Sequence, residues 1–183
     1  AASPEVRCQA LEVLGRVERF SDRRTAEVLF TRALSIARDH DLPLWQVRAM
    51  HELGTIDMFD HAGSERLLEA RQIAGALGAL STAANLDLQL SALGHCHFKL
   101  DMAAQHARSA LVLSERLGFG KVRAKALAML AENAAWRGDR EDMERFIGLI
   151  ADAAPTDQML AAFAWGAREY LRKKVIGKTV HVR

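Results

Sequence analysis

The sequence predicts an all-α chain: a right-handed superhelix of antiparallel helix pairs, about four and a half repeats long. Three observations carry this expectation. Apolar residues recur at helical spacing between short polar breaks. The three prolines, Pro4, Pro43 and Pro155, each fall at an expected helix boundary. One short motif returns along the chain at near-constant spacing.

Helices are expected at 4–20, 22–40, 44–60, 64–78, 81–99, 101–118, 121–137, 139–152 and 156–174. Ser3-Pro4-Glu5 supplies an N-cap, a first helical residue and a first-turn acid. Pro43 stands in the break after Asp41-Leu42, and Pro155 precedes a second N-cap candidate, Thr156-Asp157. Ser64 and Asp139 occupy further cap positions. Joints of two to five residues imply antiparallel neighbours. Strand-type residues gather only in the tail, at Val175, Ile176, Val180 and Val182. The organisation is therefore a helical-repeat domain over 1–175 and a short basic and apolar tail over 176–183.

The first helix of each pair carries a large residue followed by a small one. The pairs are Leu14-Gly15, Leu53-Gly54, Leu93-Gly94, Leu130-Ala131 and Trp165-Gly166, spaced 39, 40, 37 and 35 residues apart. A glycine inside a helix costs about 1 kcal/mol relative to alanine. Its return at one register implies close approach of a neighbouring helix. The second helices repeat as well: Ala33-Leu34-x-Ile36-Ala37, Ala70-x-x-Ile73-Ala74 and Ala110-Leu111-x-Leu113-Ser114 align without gaps. Gly78 and Gly118 follow two of them, as left-handed caps do.

This pattern resembles the tetratricopeptide repeat, in which a Leu-Gly pair on the first helix meets small residues on the second. The resemblance covers roughly residues 5–171. It departs from the family in two ways. The spacing exceeds the family's 34 residues. The aromatic usually found three residues after the glycine is replaced by Glu18, Asp57, His97 and Ala134. Long repeats rich in Ala, Leu and Arg are similar to the tetratricopeptide-like region of large bacterial ATP-dependent LuxR-type transcription regulators. The resemblance implies a binding or sensor segment of a larger regulator. A free-standing protein-interaction adaptor is the alternative.

Net charge is +2, unevenly placed. Residues 168–183 carry Arg168, Arg172, Lys173, Lys174, Lys178 and Arg183 against Glu169, leaving 19 basic and 22 acidic residues in 1–167. The rest of the chain offers no basic face to extend this cluster. It reads as a solvated helix end, with cations favourable at the C-terminal dipole, and no direct nucleic-acid contact is expected. No apolar run approaches the roughly 18 residues of a membrane span, so no membrane partner is expected. Cys8 and Cys96 sit in apolar helical patterns as small hydrophobes, and a cytoplasmic location follows as the default. The lack of an initiator Met points to a fragment or a processed chain.

No motif assembles catalytic chemistry. His51-Glu52-Leu53-Gly54 opens like a zinc-protease helix, but that site needs a second His at position 55, which is Thr. His61 keeps the spacing of a third ligand, while the turn glycine is replaced by Met58. In His95-Cys96-His97, successive side chains diverge by about 100° on a helix and do not easily close on one ion without distant help from His51 or His106; one core side chain and two at helix surfaces is the expectation. Ile176-Gly177-Lys178-Thr179 echoes the end of a phosphate-binding loop, but Arg172 stands where its first glycine belongs. No enzyme activity, metal or cofactor is expected.

What remains is surface. Counted from the landmark, the concave face carries Glu12, Arg16 and Arg19, then Arg48, His51, Thr55 and Met58, then Ser91, His95 and Phe98, then Lys125, Glu132 and Trp136. Cations and imidazoles beside Met and aromatic residues form a groove for a protein, a peptide or a small anionic effector. The alternative is that Met58, Phe98 and Trp136 pack between repeats and the charges merely solvate the groove. The ninth helix carries Met159, Leu160, Phe163, Trp165, Tyr170 and Leu171, more than one face of apolar residues. Self-association through helix 156–174, or contact with a further repeat, is expected.

Overall fold

The computed structural model describes residues 2–60, 63–153 and 156–180. Among these the regular structure is helical, with no strand. The helices are α1 (Pro4–Glu18), α2 (Arg23–Asp39), α3 (Pro43–Asp60), α4 (Glu65–Ala76), α5 (Leu80–Cys96), α6 (Leu100–Leu117), α7 (Gly120–Arg137), α8 (Arg140–Ala153) and α9 (Gln158–Val180). The helix α9 continues to Val180, past the expected end at 174. Val and Ile lower helix propensity by only a few tenths of a kcal/mol, while each added residue gains one hydrogen bond. Residues 181–183, Pro155 and His61 lie outside the described residues.

The chain divides into two compact units, Ala1–Gln89 and Leu90–Arg183, with the boundary inside α5. In the first, α1 packs on α2, α2 on α3, α3 on α4, and α1 also touches α3. In the second, α7 packs on α6, α8 and α9, and α8 also meets α9. Consecutive packing, with contact between the first helices of successive pairs, is the pattern of a helical-repeat solenoid.

The sequence explains this packing locally. In α2 the buried residues Ala26, Phe30, Ala33, Leu34 and Ala37 fall on one stripe at helical spacing. In α6 the stripe is Ala103, Ala107, Ala110 and Ser114, small enough for close helix approach. Helix α7 is buried on several sides, from Val122 through Leu127, Leu130 and Ala131 to Ala135, because it meets three neighbours. Full burial of Phe30 or Leu67 contributes about 1.5–3 kcal/mol each.

The landmark glycines behave as their register demands. A methyl group added at Gly15 would come within 2.5 Å of Phe30 on α2, and one at Gly54 within 2.5 Å of Leu67 on α4. At Gly94 it would meet the backbone nitrogen of Ala103 on α6 at 2.8 Å. These three glycines thus mark where α1 meets α2, α3 meets α4, and α5 meets α6. Gly166 on α9 has nothing within 4 Å of that position. Of the large landmark residues, Leu53, Leu93 and Leu130 are buried, whereas Leu14 and Trp165 are exposed.

Helix ends follow the expected chemistry. Ser3 Oγ accepts from the Val6 N–H, and Asp22 Oδ1 accepts from the N–H groups of Arg24 and Thr25. Asp139 and Asp157 cap α8 and α9 in the same way. Ser64 flanks α4 but makes no side-chain cap bond. Gly78, Gly118 and Gly138 take positive φ at helix exits. Asp41 and Phe98 do so without being glycine, at φ 50° and 56°.

Candidate binding site

In the first unit the expected groove residues form a charge ladder. Glu12 and Glu52 are buried, at 2% and 4% exposure. Glu12 Oε2 accepts from Arg48 Nε at 2.7 Å, and its Oε1 lies 2.8 Å from Arg16 Nη2. Arg16 Nε donates to Glu52 Oε1 and Arg19 Nη1 donates to Glu52 Oε2, both at 2.6 Å. Two carboxylates thus hold three guanidinium groups. The Arg48 guanidinium also lies over the Trp45 ring, 4.3 Å from its centre. Arg16, Arg19 and Arg48 therefore meet together, but with most of their charge already matched. Buried ion pairs of this kind fix one geometry and add little net stability.

His51 sits beside this ladder, half-buried. Burial lowers its pKa, the Glu52 carboxylate opposes the shift, and the Arg16 and Arg19 cations reinforce it. Thr55 Oγ1 turns back to donate to the His51 carbonyl at 2.9 Å. Gln89 Nε2 donates to Thr55 Oγ1 at 3.3 Å and approaches Met58 Sδ at 3.8 Å. Met58 is buried, whereas Phe98 is exposed.

In the second unit the expected residues centre on His95. His95 is 4% exposed, as is Asn133. Asn133 is oriented from two sides: its Oδ1 accepts from Arg137 Nε at 2.9 Å, and its Nδ2 donates to the Leu100 carbonyl at 2.8 Å. The same Nδ2 faces His95 Nε2 at 3.3 Å. His95 Nε2 must then accept, so the ring proton sits on Nδ1. Nδ1 points toward Glu132 Oε2 at 3.5 Å, short of a hydrogen bond. Burial lowers the His95 pKa to about 4, so the ring is neutral at pH 7 and its contact with Glu132 is not an ion pair. Burial also raises the Glu132 pKa.

Aromatic rings continue from this point. Trp136 lies 5.3 Å from the His95 ring, stacks with Phe98 at 5.3 Å, and meets Tyr170 of α9 at 5.9 Å. Phe98 is 75% exposed, so its ring covers Trp136 while its own outer face is open. A cleft of about 500 Å³ opens between α7 and α9, lined by Glu132, Trp136, Met159, Phe163, Gly166, Tyr170 and two alanines. The buried side of α9, namely Leu160, Ala164, Ala167 and Leu171, turns inward, which leaves Met159, Phe163 and Tyr170 on the cleft side. Of the expected residues, Glu132 and Trp136 line the cleft, and His95 and Phe98 buttress its Trp136 wall. Lys125 is exposed on α7 and lines no part of it.

Sequence reasoning does not find five of these residues in their roles. The sequence presents Glu52 only within an incomplete metal motif and gives no signal for Asn133, and it shows Met159, Phe163 and Tyr170 as an open face, whereas they form one wall of a cleft. Cys8 is buried and donates to the Ala33 carbonyl at 3.5 Å, while Cys96 is exposed and is not the core hydrophobe expected. Among the described residues no group of three His, Cys, Asp or Glu could hold a metal ion, and no helix is long and apolar enough to cross a membrane. No family model matches this chain, and no curated protein sequence matches it.

Proposed function

We propose that this chain is a non-catalytic binding module built from tetratricopeptide-like repeats, the effector- or protein-sensing segment of a larger bacterial transcription or signalling regulator of the ATP-dependent LuxR type. It works in the cytoplasm and touches nucleic acid only through other parts of that protein. The α7/α9 cleft carries the reading. It has the size and the largely apolar walls of a small-molecule site, with one carboxyl to orient a ligand. Recognition there needs no proton transfer and no covalent step.

Two observations test it. A thermal-shift screen of a metabolite and short-peptide library should yield ligands whose effect disappears in Phe163→Ala. The coding gene should place a nucleotide-binding loop before this segment or a helix-turn-helix after it. A screen without any cleft-dependent ligand would remove the binding role, and a gene encoding neither flanking element would remove the regulator assignment.

A second reading, a protein-interaction adaptor, is favoured by the open landmark on α9. Gly15, Gly54 and Gly94 each seat a following helix, and Gly166 meets nothing beside exposed Trp165. In this reading the face accepts an amphipathic helix from a second copy or another protein. Concentration-dependent sedimentation that Trp165→Glu abolishes would favour it.

A further inference from the structure

The α7/α9 cleft has a charge character that the groove expectation did not include. Its walls are the rings of Trp136, Phe163 and Tyr170 and the thioether of Met159. Among the described residues, one carboxyl enters it, that of Glu132, and no Lys or Arg lines it. Cations near it are engaged elsewhere. Arg137 bonds to Asn133 and Asp101, Lys174 donates to the Trp136 carbonyl, and Arg168 and Arg172 pair with Glu144 and Glu169. Nδ1 of the neutral His95 ring lies 3.5 Å from Glu132 Oε2 without making a hydrogen bond. Among the described residues, Glu132 is thus a carboxyl set beside aromatic faces with no cation paired to it.

We propose that this cleft binds an organic ammonium ion carried on an apolar body, an alkyl- or arylalkylammonium. The Glu132 carboxylate is its counter-ion, and Trp136, Phe163 and Tyr170 are its walls. Ring faces attract a cation through their quadrupole, and an ammonium N–H on a carboxylate is among the stronger hydrogen bonds. The apolar body fills the space beside Met159 and Gly166. An anionic ligand meets the Glu132 charge with no cation to offset it. In the first unit the three guanidinium groups of Arg16, Arg19 and Arg48 are paired with the two carboxylates of Glu12 and Glu52, which leaves them less available to a small anionic effector. Burial raises the Glu132 pKa, and an ammonium beside the carboxyl would favour its ionised form.

This inference rests on the binding-module reading, and its test separates the two. Calorimetric titration of the full chain uses 2-phenylethylammonium, with 3-phenylpropionate as the anionic match and 3-phenylpropan-1-ol as the neutral one. The ammonium should bind once per chain, about tenfold or more tighter than either. Glu132→Gln should weaken the ammonium about tenfold while leaving the alcohol unchanged. Phe163→Ala and Tyr170→Ala, at exposed rings, should weaken the ammonium and keep a cooperative melt. If Glu132→Gln does not fold, these two variants and the wild-type ranking carry the test. Equal affinity for the alcohol, preference for the propionate, or an unaltered Glu132→Gln would overturn the ammonium assignment and leave a binding module of another ligand class. Binding of none of the three probes overturns it as well, and the library screen then decides whether the module reading stands.

Discussion

Asn133 Nδ2 lies 3.3 Å from His95 Nε2, with both side chains buried, and this one contact sets the tautomer of a histidine that burial keeps neutral. It has a measurable consequence. The folded pKa of His95 is about 4, below its ordinary 6.5. Above pH 6.5 the ring is neutral in both folded and unfolded chains and costs nothing. As pH falls from 6.5 to about 4, the unfolded chain binds a proton that the folded chain refuses, so stability is lost across that window. The loss is on the order of 3 kcal/mol. Glu132 acts in the opposite sense, since its raised pKa favours the fold at low pH and weakens it as pH rises. Urea unfolding of the wild type should show the acid-side loss, His95→Gln should flatten it, and Glu132→Gln should steepen it. A His95→Gln curve that falls as steeply as the wild type's between pH 6.5 and 4 would contradict the buried neutral ring.

The landmark glycines divide into two classes. Gly94 faces the Ala103 backbone, which cannot move aside as a side-chain tip can. Gly94→Leu should cost about 1–3 kcal/mol or more by overpacking. Gly166→Ala meets open space and should gain up to about 1 kcal/mol from helix propensity. Chemical denaturation measures both. Equal responses at the two sites would show that the register assignment is wrong.

Phe98 holds a left-handed backbone that favours glycine. That conformation costs a non-glycine residue roughly 1–2 kcal/mol, and stacking on Trp136 returns about 0.5–1.5 kcal/mol. Phe98→Ala keeps the strain and loses the ring. Phe98→Gly loses both. The glycine variant should therefore be more stable than the alanine variant by about 1 kcal/mol. The reverse order in thermal melts would place the strain elsewhere.

The ladder in the first unit predicts non-additive losses. Arg48→Ala leaves Glu12 with Arg16, and Arg16→Ala leaves it with Arg48. Removing both strands a carboxylate that is 2% exposed, at a cost of about 3 kcal/mol or more. The double variant should lose more stability than the two single variants together. Simple additivity would mean that Glu12 does not depend on the two guanidinium groups as described.

Much of this architecture is legible in residue order. Landmark glycines, proline positions and Asp caps each act within one helix or one turn, so the spacing of Gly15, Gly54 and Gly94 carries the helix contacts directly. The ladder was legible in principle too. Arg16 and Glu52, and Glu12 and Arg48, stand 36 residues apart, and Asp101 and Arg137 also stand 36 apart. Opposite charges one repeat apart on facing helices are pairs. Their arginines look free only when each helix is read alone. The cleft was not legible, because it needs the depth at which α9 sits against α7. Leu160, Ala164, Ala167 and Leu171 turn inward, and that choice of face leaves Met159, Phe163 and Tyr170 around Glu132. An apolar count over α9 predicts an exposed face without showing that a carboxyl from α7 stands in it.

The central claim is that the α7/α9 cleft is where this chain recognises its ligand. The indole N–H resonances of Trp45, Trp136 and Trp165 give three reporters, of which only Trp136 lines the cleft. Titration of the labelled chain with 2-phenylethylammonium, followed by nitrogen–proton correlation spectra, is the most direct measurement. The account predicts a saturable shift of the Trp136 indole resonance that is lost in Glu132→Gln, with Trp45 unmoved. A titration that shifts Trp45, or moves no indole at all, would contradict it.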